Sequence, residues 1–190
     1  MSTLYDRFKA SVGRDGPDYS IVLRARGAER DRLEDDLLAN LDYYEIPALA
    51  LMNSTKAIPH LRRRLPTSTG SVTAFIGRAL WDLTGDPASV QIITSILRPD
   101  DLDDSWSDRV NAANLLRGID RPEANAALRE ALYDEEYLVR FNAAASLAAN
   151  HGRRLSDVKI AAALADGDRS KIDALASRLA KRPRSGHRKM

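Results

Sequence analysis

Apolar side chains along this chain recur at helical spacing, and no segment sustains a period-two alternation, so the sequence predicts an all-α protein. Val90, Ile93, Ile96 and Leu97 form one stripe behind Pro87, whose fixed φ and missing donor suit the first turn of a helix. Leu138, Val139, Ala143, Ala144 and Leu147 form a second, with Asp134 ahead of it in position to cap the free amides of the helix start. Upstream, Leu33, Leu37, Leu41 and Tyr44 share a face within residues 31–53, which predicts a degenerate hairpin bent near Pro47. Leu4, Tyr5, Phe8 and Val12 make a short N-terminal stripe, read as a cap on the end of the structure. Gly85, Gly118 and Gly152 fall at or near helix ends, where a left-handed residue stops a helix.

The stripes repeat. The octet from Arg109 to Leu116 (RVNAANLL) lies over the octet from Arg140 to Leu147 (RFNAAASL) at an offset of 31, keeping the Arg, the Asn, both alanines and the final Leu. A looser copy, TAFIGRAL from Thr73 to Leu80, sits 36 residues earlier. The segments between the copies match too, with Pro87 to Leu97 resembling Pro122 to Leu132. Periods of this size are those of stacked helical hairpins, and the alanine pair lets helices of successive units approach closely.

Asp134, Val139-Arg140, Ala143-Ala144, Leu147 and Asn150-His151-Gly152 together resemble the short bacterial HEAT-like repeat, the type also seen in phycobilisome bilin lyases. The resemblance implies an α-solenoid of about four to five hairpins: repeats over 56–182, in units at 56–86, 87–121, 122–153 and 155–181, with 1–53 as cap and degenerate hairpin. Residues 1–182 would form a single domain and 183–190 a basic, disordered tail. The family's Asp–Arg ladder between units carries over onto Asp134 with Arg140, and onto Asp104 or Asp108 with Arg109. Thr73 breaks the pattern in the first unit.

Composition changes the picture in two places. The chain has 190 residues and no cysteine, which excludes a disulfide-stapled fold and thiolate zinc and makes a reducing, cytoplasmic setting the expectation. The formal charge is +2, but six of the 29 Lys and Arg lie between Arg178 and Lys189, leaving 23 against 27 Asp and Glu, about −4. The body is acidic and only the tail is basic. No run approaches the roughly 18 apolar residues of a membrane span.

Candidate chemistry is sparse. His60, His151 and His187 have no partner at metal-ligand spacing; Ser156 and Lys159 match an S-x-x-K spacing without its companion motifs. No catalytic residue, metal or cofactor is expected. In a HEAT-like stack the second helices line the concave surface, which places Ala74, Val110 and Phe141 in one row, Phe75, Asn111 and Asn142 in a second, Arg78, Asn114 and Ala145 in a third, and Asp82, Gly118 and Ala149 in a fourth. This amide-rich, weakly charged face argues against nucleic acid, whose phosphates demand many Lys and Arg; the run Arg62, Arg63, Arg64 is read as a solvated outer face. Asp100, Asp101, Asp103, Asp104 and Asp108 form an acidic edge around Trp106, a candidate anchor for a basic partner. The expectation is therefore a non-enzymatic protein-binding module, an adaptor or an inhibitor such as a toxin-neutralising immunity protein. Two alternatives are a nucleic-acid-binding protein resembling the helical-repeat alkylpurine DNA glycosylases, with Asp82, Arg78 and Trp81 as the nearest matching set, and a bilin lyase-like protein.

Overall fold

The computed structural model describes residues 2–14, 16–98, 105–153, 164 and 167–180. They are helical, with no β-strand among them; a single isolated bridge joins Gly13 and Gly16. The chain divides into two compact units, residues 1–89 and 90–190.

The first unit opens with α1 (Leu4–Ala10). Thr3 and Asp6 close a reciprocal capping box there, the Thr3 Oγ1 accepting from the Asp6 amide at 3.0 Å and the Asp6 carboxylate from the Thr3 amide at 2.8 Å. These bonds hold the Asp6 carboxyl below its ordinary value. Phe8 is fully buried against the ring of Tyr19, whereas Val12, assigned by the sequence to the same stripe, lies past the helix end and is exposed. After α2 (Ser20–Arg24) come α3 (Gly27–Ala39) and α4 (Glu45–Leu51). This is the predicted degenerate hairpin, with its break in a different place. The chain turns at residues 40–44, and Pro47 sits inside the first turn of α4, where an absent N–H costs nothing.

The next hairpin is α5 (Ala57–Arg64) and α6 (Gly70–Thr84), joined through a 3-10 turn, Leu65–Thr67. In both hairpins the first helix packs on the second, α3 on α4 and α5 on α6, and the second helices α4 and α6 pack on each other. Ile46, Ala48, Leu49, Leu61, Ala74 and Ile76 are fully buried as a result. Two apolar stripes of hairpins thus meet through their second members, as ridges into grooves.

Helix α7 (Ala88–Leu97) starts just before the division between units, and its Val90, Ile93 and Leu97 are buried. The second unit continues with α8 (Trp106–Leu115), α9 (Pro122–Glu130), a 3-10 turn Ala131–Tyr133, α10 (Tyr137–Asn150) and α11 (Arg169–Ala180). Pro122 occupies the first turn of α9, as its position in the repeat implied. Helix α10 packs on both α9 and α8, and α11 on α10 and the 3-10 turn. The alanine pairs Ala112-Ala113 and Ala143-Ala144 have no exposed surface. Gly152 ends α10 at φ 69°, with the Arg153 amide reaching back to the Ala148 carbonyl at 2.8 Å and the Gly152 amide to Ala149 at 2.9 Å.

Candidate binding surface

The second helices α8 and α10 carry the two clearest copies of the repeat, and a buried ion pair ties one to the next. Arg109 on α8 donates through Nε to Asp134 Oδ2 at 2.8 Å and through Nη2 to Oδ1 at 3.1 Å, both side chains being under 5% exposed. Asp134 lies in the turn ahead of α10, and the same Oδ1 accepts the Glu136 amide at 2.9 Å. It caps the residue that precedes the helix, rather than the first turn of the helix as the sequence suggested. The expected ladder is also re-paired: the Asp134 carboxylate serves Arg109. Arg140 turns its guanidinium to main-chain carbonyls, of Leu164 at 2.7 Å, Asp134 at 2.8 Å and Glu135 at 2.6 Å. A planar guanidinium suits this use, because its Nε–H and Nη1–H groups point in fixed directions at separate carbonyls.

A second tie was not foreseen. Asn150, the last residue of α10, accepts the Gly118 amide at 2.7 Å and donates to the carbonyls of Leu116 and Ile119 and to the Asn125 amide oxygen. Asn125 in turn donates to Asp120 at 2.9 Å. One buried amide therefore satisfies the end of α8 and fixes the loop into α9. Its only sequence signal was its place beside His151-Gly152 in the repeat pattern.

With those ties made inward, the remaining positions of α8 and α10 face outward. Val110, Asn111 and Asn114 on α8 and Phe141, Asn142 and Ala145 on α10 are each part-exposed. Several of their amides are engaged locally: Asn142 donates to the Leu138 carbonyl at 2.7 Å, and Asn114 accepts from Arg117 at 3.0 Å, so a guanidinium lies over the row that the sequence rendered as weakly charged. At the start of the same helices the surface is apolar. Trp106 is 42% exposed, Tyr133 42% and Leu138 43%, and Tyr137, whose ring contacts Phe141, is 36% exposed. Trp106 and Tyr137 are equivalent at the 31-residue offset, each being the first residue of its helix. Of the acidic edge, Asp108 lies in the first turn of α8, where a carboxylate complements the helix dipole. Asp100, Asp101, Asp103 and Asp104 lie outside the described residues, as do Ser156, Lys159, His187 and the tail.

In the first unit, Phe75 packs edge-on against Tyr43 with ring centroids 4.7 Å apart. Arg78 Nε lies 3.0 Å from both oxygens of Asp82 one turn away on α6, so the carboxylate of the Asp82, Arg78, Trp81 set is already countered by its neighbour; Trp81 is half-buried. Where the later copies have Arg109 and Arg140, Thr73 pairs its hydroxyl with Ser68 at 2.9 Å. The arginine run is less free than the sequence suggested. Arg64 reaches Asp42 at 3.2 Å and Arg63 contacts His60 Nδ1 at 3.2 Å, beside a cleft of about 340 Å³ between the ends of α3 and α5.

Among the described residues no three His, Asp or Glu side chains converge in a way that could hold a metal ion, and no helix is long and apolar enough to cross a membrane. No family model, no curated protein and no solved structure matches the chain.

Proposed function

We propose that this chain is a HEAT-like helical-repeat module that binds another protein along the outward row of its second helices, acting as an adaptor or inhibitor rather than as an enzyme. The observation that carries this reading is the shared environment of the two repeat copies. In each, the alanine pair is fully buried while the two residues immediately before it, Val110 and Asn111 or Phe141 and Asn142, stay part-exposed. The rows are held in register by Arg109 with Asp134 and by Asn150, so they form a preorganised surface whose side chains lose little freedom on binding. Exposed aromatics at the helix starts supply the anchors that interfaces favour: Trp106 and Tyr137, with Phe141 behind. The exposed carboxylates Glu135 and Glu136 beside them suit a partner of basic character.

The test is reconstitution. Chemical crosslinking of the tagged chain in its native host, followed by purification of both proteins, is expected to give a stoichiometric complex. Tyr137→Ala and Phe141→Ala should each weaken it about tenfold or more, the loss typical of a central aromatic anchor, while Ala126→Glu on the exposed side of α9 leaves it intact. A chain that yields no stoichiometric protein partner, or a complex indifferent to both aromatic substitutions, overturns the reading.

A further inference from the structure

We propose that the cleft beside Tyr133 in the second unit is an anchor site for a single arginine side chain of the partner. This rests on the protein-binding reading above and names the chemistry that one part of the surface would recognise. The cleft has a volume of about 130 Å³ and lies between the end of α7 and the 3-10 turn after α9. Leu97, Ala127, Ala131 and the ring of Tyr133 give it apolar walls, and Arg98, Glu130 and Asp134, the last already paired with Arg109, complete the lining. That is the form of a receptor for an amphipathic side chain: a hydrocarbon stem against apolar walls, a charged head held at the mouth.

Three further observations select arginine. Glu130 is already approached by a guanidinium, since Arg98 Nε lies 4.0 Å from its Oε2, but the two side chains are 74% and 66% exposed. So long and exposed a pair contributes little and is readily displaced. Arg98 therefore shows that a guanidinium reaches this carboxylate without holding the place firmly. Secondly, Tyr133 is 42% exposed, and its hydroxyl donates to Asp173, which fixes the phenol and keeps it protonated. A fixed, neutral ring is a stacking platform for a planar guanidinium, which an ammonium uses less well. Thirdly, Asp173 and Glu135, which is 75% exposed, add negative charge near this turn, partly offset by Arg169, whose field also reaches Tyr133.

The experiment titrates the full-length chain with Nα-acetyl-arginine amide while following the methyl resonances of Leu97, Ala127 and Ala131, with Nα-acetyl-citrulline amide as the uncharged isostere. Saturable shifts confined to these methyls are expected with arginine, and binding about tenfold weaker or more with citrulline. Glu130→Gln should weaken the arginine probe about tenfold, and Arg98→Ala, which removes the competing guanidinium, should strengthen it about twofold. Both substitutions are on exposed side chains, so an unchanged spectrum elsewhere confirms that the fold is retained. Absence of saturable shifts at these methyls, equal binding of citrulline, or indifference to Glu130→Gln overturns the proposal. The outcome is separable from that of the module reading: a partner complex that forms unaffected by Glu130→Gln leaves the module standing and removes the arginine site, whereas the probe titration reads the cleft whether or not a partner is found.

Discussion

The two units bury charge in opposite ways. Residues 1–89 enclose carboxylates, Glu34 and Glu45 at 4% and 1% exposure, and meet them with lysines that reach in from the surface: Lys56 at 3.0 Å and Lys9 at 2.8 Å, 57% and 46% exposed. Residues 90–190 enclose guanidinium groups, Arg109 and Arg140 at 3% and 7% exposure, and meet them with the buried Asp134 and with main-chain carbonyls. The difference matters because a carboxylate deprived of its partner can take up a proton and become neutral, whereas a guanidinium cannot shed one. The first arrangement is forgiving and pH-dependent. The second is intolerant, and it specifies where α8 and α10 sit relative to one another.

The sharpest way to break that comparison is Asp134→Ala, which leaves the Arg109 guanidinium buried without its anion and unable to shed its charge, and should cost about 3–5 kcal/mol in urea unfolding. Replacing the pair together by Met and Leu should recover most of this, because well-packed apolar residues often substitute for a buried pair at no loss. Next in size is Asn150→Ala, which orphans the Gly118 amide and two carbonyls and should cost about 2–3 kcal/mol by the same measurement.

Lys56→Met probes the forgiving side. Burial alone would raise the Glu34 carboxyl, but the Ser54 hydroxyl facing it and the Lys56 ammonium outweigh burial and hold it below the ordinary carboxylate value. A depressed folded value means stability present above the ordinary one, near 4.5, and lost as pH falls through the folded value. The deficit of Lys56→Met relative to the parent should therefore be smaller than that of Asp134→Ala at pH 7 and should close in acid; a deficit that stays constant down to pH 3 would contradict the pairing. The smallest effect is alkaline. Burial, with Glu45 nearby, pushes Tyr5 and Tyr19 up to about 12, so their contribution is intact below the ordinary value of 10.0 and fades as pH approaches 12. Phenolate absorbance should show Tyr5 and Tyr19 among the late-ionising tyrosines, with Tyr133 also raised by its bond to Asp173, and Glu45→Gln should bring Tyr5 and Tyr19 down while leaving Tyr133 in place.

Much of the helical layout was legible because periodicity and punctuation agree. The alanine pairs, the Pro122 start and the Gly152 stop each follow from a local rule, and each stands where the pattern put it. The errors have physical causes as well. Pro47 reads as a breaker, yet in a first turn it breaks nothing, and the actual stop after α4 is Asn53 at φ 52°, the only non-glycine with positive φ among the described residues. Its amide and that of Ser54 make the same pair of return bonds that Gly152 and Arg153 make after α10. The ladder was mis-paired because Arg109 and Arg140 both sit a few residues from an acid in sequence, and only packing decides that Asp134 turns back to the preceding repeat. The Asn150 tie was invisible for the same reason: its partners lie 25 to 34 residues away. The repeat register placed Val110, Asn111, Asn114, Phe141, Asn142 and Ala145 at positions that are part-exposed, but Ala74, put in the first row by the same register, is fully buried, because α6 packs on both α4 and α5.

The most direct measurement of the central claim places a photoreactive phenylalanine analogue at Phe141, in the outward row of α10, and separately at Ala126, exposed on α9, and irradiates each chain in its native host. The account expects one discrete protein adduct from position 141 and none from position 126. No adduct from 141, or the same adduct from both, would contradict a partner surface on the second helices.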